Sequence, residues 1–587
     1  MKKIIRIFVF TTILSSVVGC SDFFETDSTH VIFAEDEHLH NANDTIYSLI
    51  GILNKLQAIG DRTVLFGEAM GDLVDVTNAT SADLRDVAMF NVNDSNAYNT
   101  PRDYYAVINN CNYYIAHADT ALKNNRNEYI FKGEYAVVKG IRAWTYLQLA
   151  MVYGNVPFVT TPILTKEDAE RDYPRKDIQG VCEYFLDEDS LQYLADIEFP
   201  SLGDIKGVPS RLFYIPINII LGDLNLWAGR YMAAARCYYD YITKRNGTNS
   251  TYSTGVNSIE WESSNWSTTV SSLQSSLSDE ANAAQSEIIS LIPGDSIPSE
   301  GYYSQLRNIY NTSADNDYKC SLTPSKGMID LSAKQVYCHY ENKQFVYPPR
   351  TLSNNKSGDL RLSAFWSTSE NAVNANGDKY TSQNIPKFIT RNIHIYRRQL
   401  IYLRLAEALN RAGYPRFAYQ ILASGINDRI INDSIIPHYT KDSLKLAQFS
   451  FPNTRYGVYD PRDEFATNSN TMGIHSRGSG FSPANIYYQM PFDSTITDSI
   501  ALIQWQIDMV EDMIVDEEAL EFAFEGYRFY DLMRVALRRN QPSYLADRIY
   551  SRRGNGKRDE MKSLIQKDLT NPSNWYLGWK NQIGAKK

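Results

Sequence analysis

Four carboxylates, Glu517, Glu518, Glu521 and Glu525, fall within DEEALEFAFEGYRFYDLMR (516–534), and a carboxylate pair is what a glycosidase uses as acid and base or nucleophile. The same spacing has a plainer meaning. Ala519, Phe522, Ala523, Gly526, Phe529, Tyr530 and Met533 make one helical stripe, with Leu520, Phe524 and Tyr527 making a second beside it. A helix that is apolar on two faces is buried, so the acidic edge predicts a structural ion-pair network rather than a catalytic pair. Glu517, Glu521 and Glu525, four residues apart, repel by about 0.2–0.5 kcal/mol per pair and require basic partners. Arg528 and Arg534, three residues from Glu525 and Asp531, are the local candidates, and arginines of another helix supply the rest.

Other catalytic patterns are weaker still. No HExxH, GxSxG or Walker loop occurs. His475 stands beside Ser476 in GIHSRG, but no third partner is nominated. His30, His38 and His40 could bind a metal and read more simply as solvated linker. No cofactor is implied, although Asp and Asn are plentiful enough for a structural Ca²⁺ to stiffen a loop. The chain is therefore expected not to be an enzyme.

Binding chemistry is better represented. The chain holds 41 Tyr and 8 Trp, with Tyr well ahead of Phe at 24, and amphipathic rings suit sites half in water. Residues 246–390 are rich in Ser, Thr and Asn yet contain IEWESSNW, EGYYSQLRNIY and RLSAFW. Trp and Tyr argue for an ordered, loop-rich region rather than disorder. Sugars bind by laying a C–H face on an aromatic ring while Asn, Asp and Arg take the hydroxyls. Trp261, Trp266, Tyr302, Tyr303, Tyr310 and Trp366 are the candidate rings, each with core packing as its alternative role.

The termini and cysteines bound the compartment. Lys2, Lys3 and Arg6 precede an apolar run from Ile7 to Val18, too short to span a bilayer but right for a signal sequence. It ends in Val17-Val18-Gly19-Cys20, which resembles a lipobox, with cleavage before Cys20 and acylation of its thiol. Cleavage removes three positive charges from a chain already at −10, and an acidic surface argues against a nucleic-acid partner. Five cysteines then remain, with no CxxC, so neither a zinc scaffold nor an obvious disulfide framework is present. Cys111 and Cys237 read as small buried hydrophobes, while a bridge between Cys320 and Cys338 is allowed but not required.

Several helical stretches must position these groups. Ile46, Leu49, Ile50, Leu53 and Leu56 predict a helix over 38–60, stopped near Gly60, and the polar segment after it predicts loops. Four helical pairs are expected at roughly 105–153, 210–242, 397–425 and 500–540. Within them, Gly229, Tyr231 and Ala234 approach the G-x-Y-x-x-A core of a tetratricopeptide repeat. Gly154 should cap one helix, Val156-Pro157 should follow as extended chain, and Pro216 should start another.

Three motifs carry a family resemblance: FEG with Arg528, Asp531-Leu532 and Arg534; YGNVP at 153–157; and Leu405-Ala406-Glu407-Ala408 with Asn410, then Ile426-Asn427 with Arg429. Together they resemble the SusD/RagB family of surface lipoproteins, with one departure, Glu518 standing where an Arg is frequent. The resemblance implies a mostly α fold with about four tetratricopeptide-like helical pairs and a loop-rich ligand-binding sub-domain. It implies a signal peptide over 1–19, a lipidated tether over 20–37, helical regions over 38–245 and 391–587, and a ligand-binding insertion over 246–390. By position it adds Asp72, Arg85 and Tyr98 to the candidate site. The expected function is capture of oligosaccharide at the outer membrane surface for a TonB-dependent, SusC-like transporter. A peptide-binding RagB-like role and, further off, a surface glycoside hydrolase are the alternatives.

Overall fold

The computed structural model describes Leu39, residues 47–248, 287–295, 302–337, 358–451, 471–479 and 489–578, and the short strands 255–256, 339–341, 344–346 and 457–459. The first long helix, α1 (Tyr47–Ala69), runs through Gly60 instead of ending there. Gly60 serves as a contact: a Cβ on it would lie 2.6 Å from Cδ1 of Ile393. A short helix α2 (Ala82–Ala88), capped by Ser81, interrupts the polar segment that follows.

The expected pairs form as helical hairpins. They are α3 (Pro101–His117) with α4 (Lys132–Tyr153), α5 (Ile217–Trp227) with α6 (Tyr231–Thr248), α7 (Arg398–Arg411) with α8 (Pro415–Ala423), and α9 (Ser499–Phe522) with α10 (Arg528–Arg538). Gly154 ends α4 with φ +73°, Val156-Pro157 pairs in extended form with Arg175-Lys176, and Pro216 stands at the cap of α5, all as expected. Every residue of α7 is buried because α6 and α9 both pack on it. Among the described residues no helix is long and apolar enough to cross a membrane.

The described part of the loop-rich segment packs into the main core. Strand β1 (Ile288–Ile292) pairs antiparallel with β4 (Ile393–Arg397), Ile292 opposite Ile393 and Ile288 opposite Arg397, and its side chains join the core of α1 and α9. Between them, β2 (Ser367–Val373) and β3 (Lys379–Asn384) form a mostly exposed hairpin.

The stretch 516–534, expected as one helix, is two. Helix α9 stops at Phe522, the chain turns through Phe524 (φ +76°) and Gly526 (φ +93°), and α10 begins at Arg528. The cause is tertiary. Gly526 lies back to back with Gly67 of α1, where a Cβ on Gly67 would fall 1.7 Å from the Gly526 carbonyl oxygen, and its N–H donates to Glu68 Oε1 at 2.8 Å.

The acidic ladder is answered as the repulsion argument requires. Arg361 pairs with Asp359 (2.7 Å), Glu517 (2.6 Å) and Glu521 (3.1 Å). Arg397 reaches Glu521 (3.1 Å) and Glu525 (2.7 Å), and Arg477 joins Glu287 (2.7 Å) to Glu521 (3.2 Å). Burial alone would raise the Glu521 carboxyl, but Arg477, Arg397 and Arg361 together hold it well below the usual range. Of the local candidates, Arg534 does pair with Asp531 (2.6 Å), whereas Arg528 turns to Asp72. Arg404 of α7 stands 3.6 Å from Glu518, whose carboxyl is pushed well up, first by burial and then by Asp531.

Candidate functional site

Helix α1 is apolar for most of its length, and Gln57 and Asp61, four residues apart, are polar groups on one face of it. They hold the chain that leaves β1. Gln57 Nε2 donates to the Pro293 carbonyl (2.7 Å) and its Oε1 accepts from the Tyr302 N–H (3.2 Å). Asp61 accepts from Ser304 Oγ (2.6 Å) and the Gln305 N–H (2.8 Å), with the Tyr302 hydroxyl 3.5 Å away. Burial pushes the Asp61 carboxyl up, against these donors and Arg62. It also lifts the Tyr302 hydroxyl to about 12, helped by the Asp61 charge.

The result is a surface on which Tyr302 and Tyr303 are 37% and 46% exposed. Tyr98, half-buried, belongs to the same group: burial raises its hydroxyl, and the charges of Asp61 and Asp83 add to that. Its loop is shaped by Asn96, which accepts from the Tyr98 N–H (2.9 Å) and donates to the Asp83 carbonyl (2.9 Å). Behind Tyr303 the Arg391 guanidinium lies 3.7 Å from the ring centroid and donates to the Ser304 carbonyl (2.7 Å). Asp295 and Asp315 flank it, each 3.9 Å away and more than half exposed. Ring faces held by a buried frame that includes the Arg391 guanidinium, with two exposed carboxylates at the rim, can stack on a sugar and bond its hydroxyls.

The other candidates are placed differently. Asp72 is committed to Arg528, through Oδ1 to Nε at 2.5 Å and Oδ2 to Nη2 at 3.0 Å, and so locks α10 to the loop after α1 instead of facing a ligand. Arg85 donates to the Thr77 carbonyl (2.8 Å) and braces the turn before α2. Trp366 is half-buried, its indole N–H donating to Gln383 Oε1 (3.3 Å), and Gln383 donates in turn to the Tyr310 and Leu322 carbonyls, so this ring supports the β2–β3 hairpin. Tyr310 is buried, stacked on Phe388 with centroids 4.6 Å apart. Trp261 and Trp266 lie outside the described residues, as do Cys20 and Cys338. Cys320 is a half-buried free thiol. Among the described residues no group of three or more His, Cys, Asp or Glu is placed to hold a metal ion.

His475 is buried against Glu517 and belongs to the ion-pair network, not to a nucleophile pair with Ser476, whose hydroxyl donates to the Gly473 carbonyl (2.6 Å). Sequence reasoning missed Gln57, Asp61 and Arg391. The first two carried a readable signal, an i, i+4 polar pair on an apolar helix.

The fold is that of the SusD-like proteins. A SusD superfamily protein from Bacteroides vulgatus ATCC 8482 superposes with a TM-score of 0.53 at 16% identity, covering 93% of this chain and 96% of that one. A SusD-like carbohydrate binding protein from Bacteroides fragilis NCTC 9343 gives 0.52 at 12% identity over 86% of this chain and 89% of that one. A second SusD-like protein from the same strain gives 0.52 at 16% identity, over 86% and 88%. No protein-family model matches the sequence, and no curated protein matches it either.

Proposed function

We propose that this chain is a non-catalytic, lipid-anchored protein of the outer membrane surface that binds oligosaccharide and passes it to a TonB-dependent, SusC-like transporter. The observation that carries the proposal is the exposed pair Tyr302 and Tyr303, seated by Asp61 beneath Tyr302 and by buried Arg391 behind Tyr303, with Tyr98 within reach of the Asp61 charge and two exposed carboxylates at the edge. The SusD-like fold and the lipobox-like Cys20 support the cellular setting. Capture needs no covalent step: ring stacking, a few hydrogen bonds and a raised local concentration at the transporter mouth suffice.

Isothermal titration calorimetry of soluble polysaccharides and of mixed peptides against the mature chain tests the reading. Glycan binding should weaken roughly five-fold, about 1 kcal/mol, for Tyr302→Ala or Tyr303→Ala. Binding of peptides alone would replace the glycan reading with the peptide-capturing one, and turnover of a bound glycan would overturn the non-catalytic assignment.

A further inference from the structure

A groove of about 870 Å³ that shares no lining residue with the tyrosine group opens where α4, α5, α7 and α10 end and the C-terminal segment crosses them. It is built rather than incidental. The Leu577 N–H donates to the Val152 carbonyl (3.0 Å), which lays the segment across the end of α4. Gly154, free of a side chain, lets the Tyr576 ring lie over the helix end, where a Cβ would sit 3.0 Å from Cγ of that ring. Trp227 and Tyr231, at the α5–α6 turn, are the other two half-buried rings of the lining. Arg534 lies over Trp227 at 5.3 Å and Arg411 over Tyr231 at 5.8 Å, so guanidinium planes fix both rings.

Arg411 supplies the observation that points to a ligand. Its side chain is 1% exposed, Nε pairs with Glu511 (2.8 Å) and Nη1 with Glu407 (2.7 Å), yet Nη2 has no hydrogen-bond acceptor among the described residues. A buried donor left unmatched costs about 1–3 kcal/mol, and here it belongs to a residue that lines the groove.

Charge balance decides what kind of acceptor fits. Arg411 already faces Glu407 and Glu511, Arg534 faces Glu407 and Asp531, and Arg538 faces Asp508 and Glu511. The C-terminal ends of four helices add partial negative charge, which the N-termini of α6 and of the helix Ile178–Glu183 offset only in part. Lys567, half-buried, and Asp177, exposed, also line the groove with opposite charges, so no positive surplus is left to reward an anion. The rim adds uncharged hydrogen-bonding groups, Asn155, Gln179 and Ser573. We infer that this groove is a second carbohydrate site, for a neutral oligosaccharide of two or three residues, its rings packed on Trp227, Tyr231 and Tyr576 and one oxygen accepting from Arg411 Nη2. Known ligand pockets span roughly 300–1,000 Å³, which brackets the groove.

The inference extends the glycan reading but uses none of its residues, so the two are separable. Neutral trisaccharides (maltotriose, xylotriose, mannotriose) are titrated calorimetrically into the mature chain, into the Tyr302→Ala/Tyr303→Ala double variant, and into Trp227→Ala and Ser573→Trp, the last placing bulk at an exposed rim position. At least one sugar should bind the double variant and lose ten-fold or more in affinity once Trp227→Ala or Ser573→Trp is added. Leu537→Asp and Leu537→Lys, at a rim residue 44% exposed, should each change that affinity less than three-fold. Opposite shifts for these two would overturn a neutral ligand. Single-site binding abolished by the tyrosine double variant would overturn the second site and leave the proposed function standing. Binding that ignores the tyrosine variants but needs Trp227 would do the reverse, and a panel that binds nowhere would overturn the second site.

Discussion

Replacing Glu521 by Gln removes one negative charge from the centre of the buried network while keeping the side-chain shape. Glu521 is fully buried and lies 3.1 Å from Arg361, 3.1 Å from Arg397 and 3.2 Å from Arg477. Taking one partner from a buried ion pair costs about 3–5 kcal/mol, since the remaining charge keeps its desolvation penalty. The amide retains one acceptor, so the lower end, about 3 kcal/mol, is expected. That is roughly a 150-fold change in the unfolding equilibrium. Urea titrations followed by intrinsic fluorescence measure it, with Asp330→Asn as the comparison. Asp330 pairs with Lys326 at side-chain exposures of 43% and 56%, and its loss should cost no more than about 0.5 kcal/mol. The arginines hold the Glu521 carboxyl below its unfolded value, so its contribution is complete above that value and disappears as pH falls through the folded one. The gap between wild type and Glu521→Gln should therefore be full at pH 7 and narrow in acid, below about pH 4.5. A cost under about 1 kcal/mol at pH 7, or a gap that widens in acid, would refute the claim that this network is the reason for the ladder.

Gly526→Ala places a Cβ 2.3 Å from the Thr63 carbonyl oxygen at φ +93°, and should lower stability by at least about 2 kcal/mol in the same titration. Glu68 shows the opposite pH sign to Glu521. Burial lifts its carboxyl from 4.5 to about 7, so ionising it opposes folding, and wild type should lose stability relative to Glu68→Gln as pH rises from about 4.5 to 7, by about 3 kcal/mol in total. Unfolding curves of the two proteins across that range check the sign. Cys20→Ala should move the protein from the membrane fraction to the soluble fraction with an unchanged circular dichroism spectrum, and a variant that stayed lipid-anchored would remove the lipobox reading.

The sequence by itself determined the features that rest on short-range pattern. Hydrophobic period placed the four helical hairpins, Gly154 and Pro216 marked an end and a start, and the acidic ladder on an apolar helix announced that arginines from elsewhere must meet it. Those signals are readable because a helix repeats every few residues and buried charge must be matched, whatever the rest of the chain does. Only the tertiary structure decided where α9 ends, because the break comes from Gly526 meeting Gly67 across the fold, while the local pattern continues as helix. It also decided that Asp72 serves Arg528, a partner 456 positions away, rather than a ligand. The site is of the same kind: Asp61, Tyr98 and Tyr302 come from three segments with no shared period, and the backbone that seats Tyr302 is held by hydrogen bonds between residues over two hundred positions apart. Periodicity carries no information about such closures, since they depend on which surfaces meet after the helices have packed.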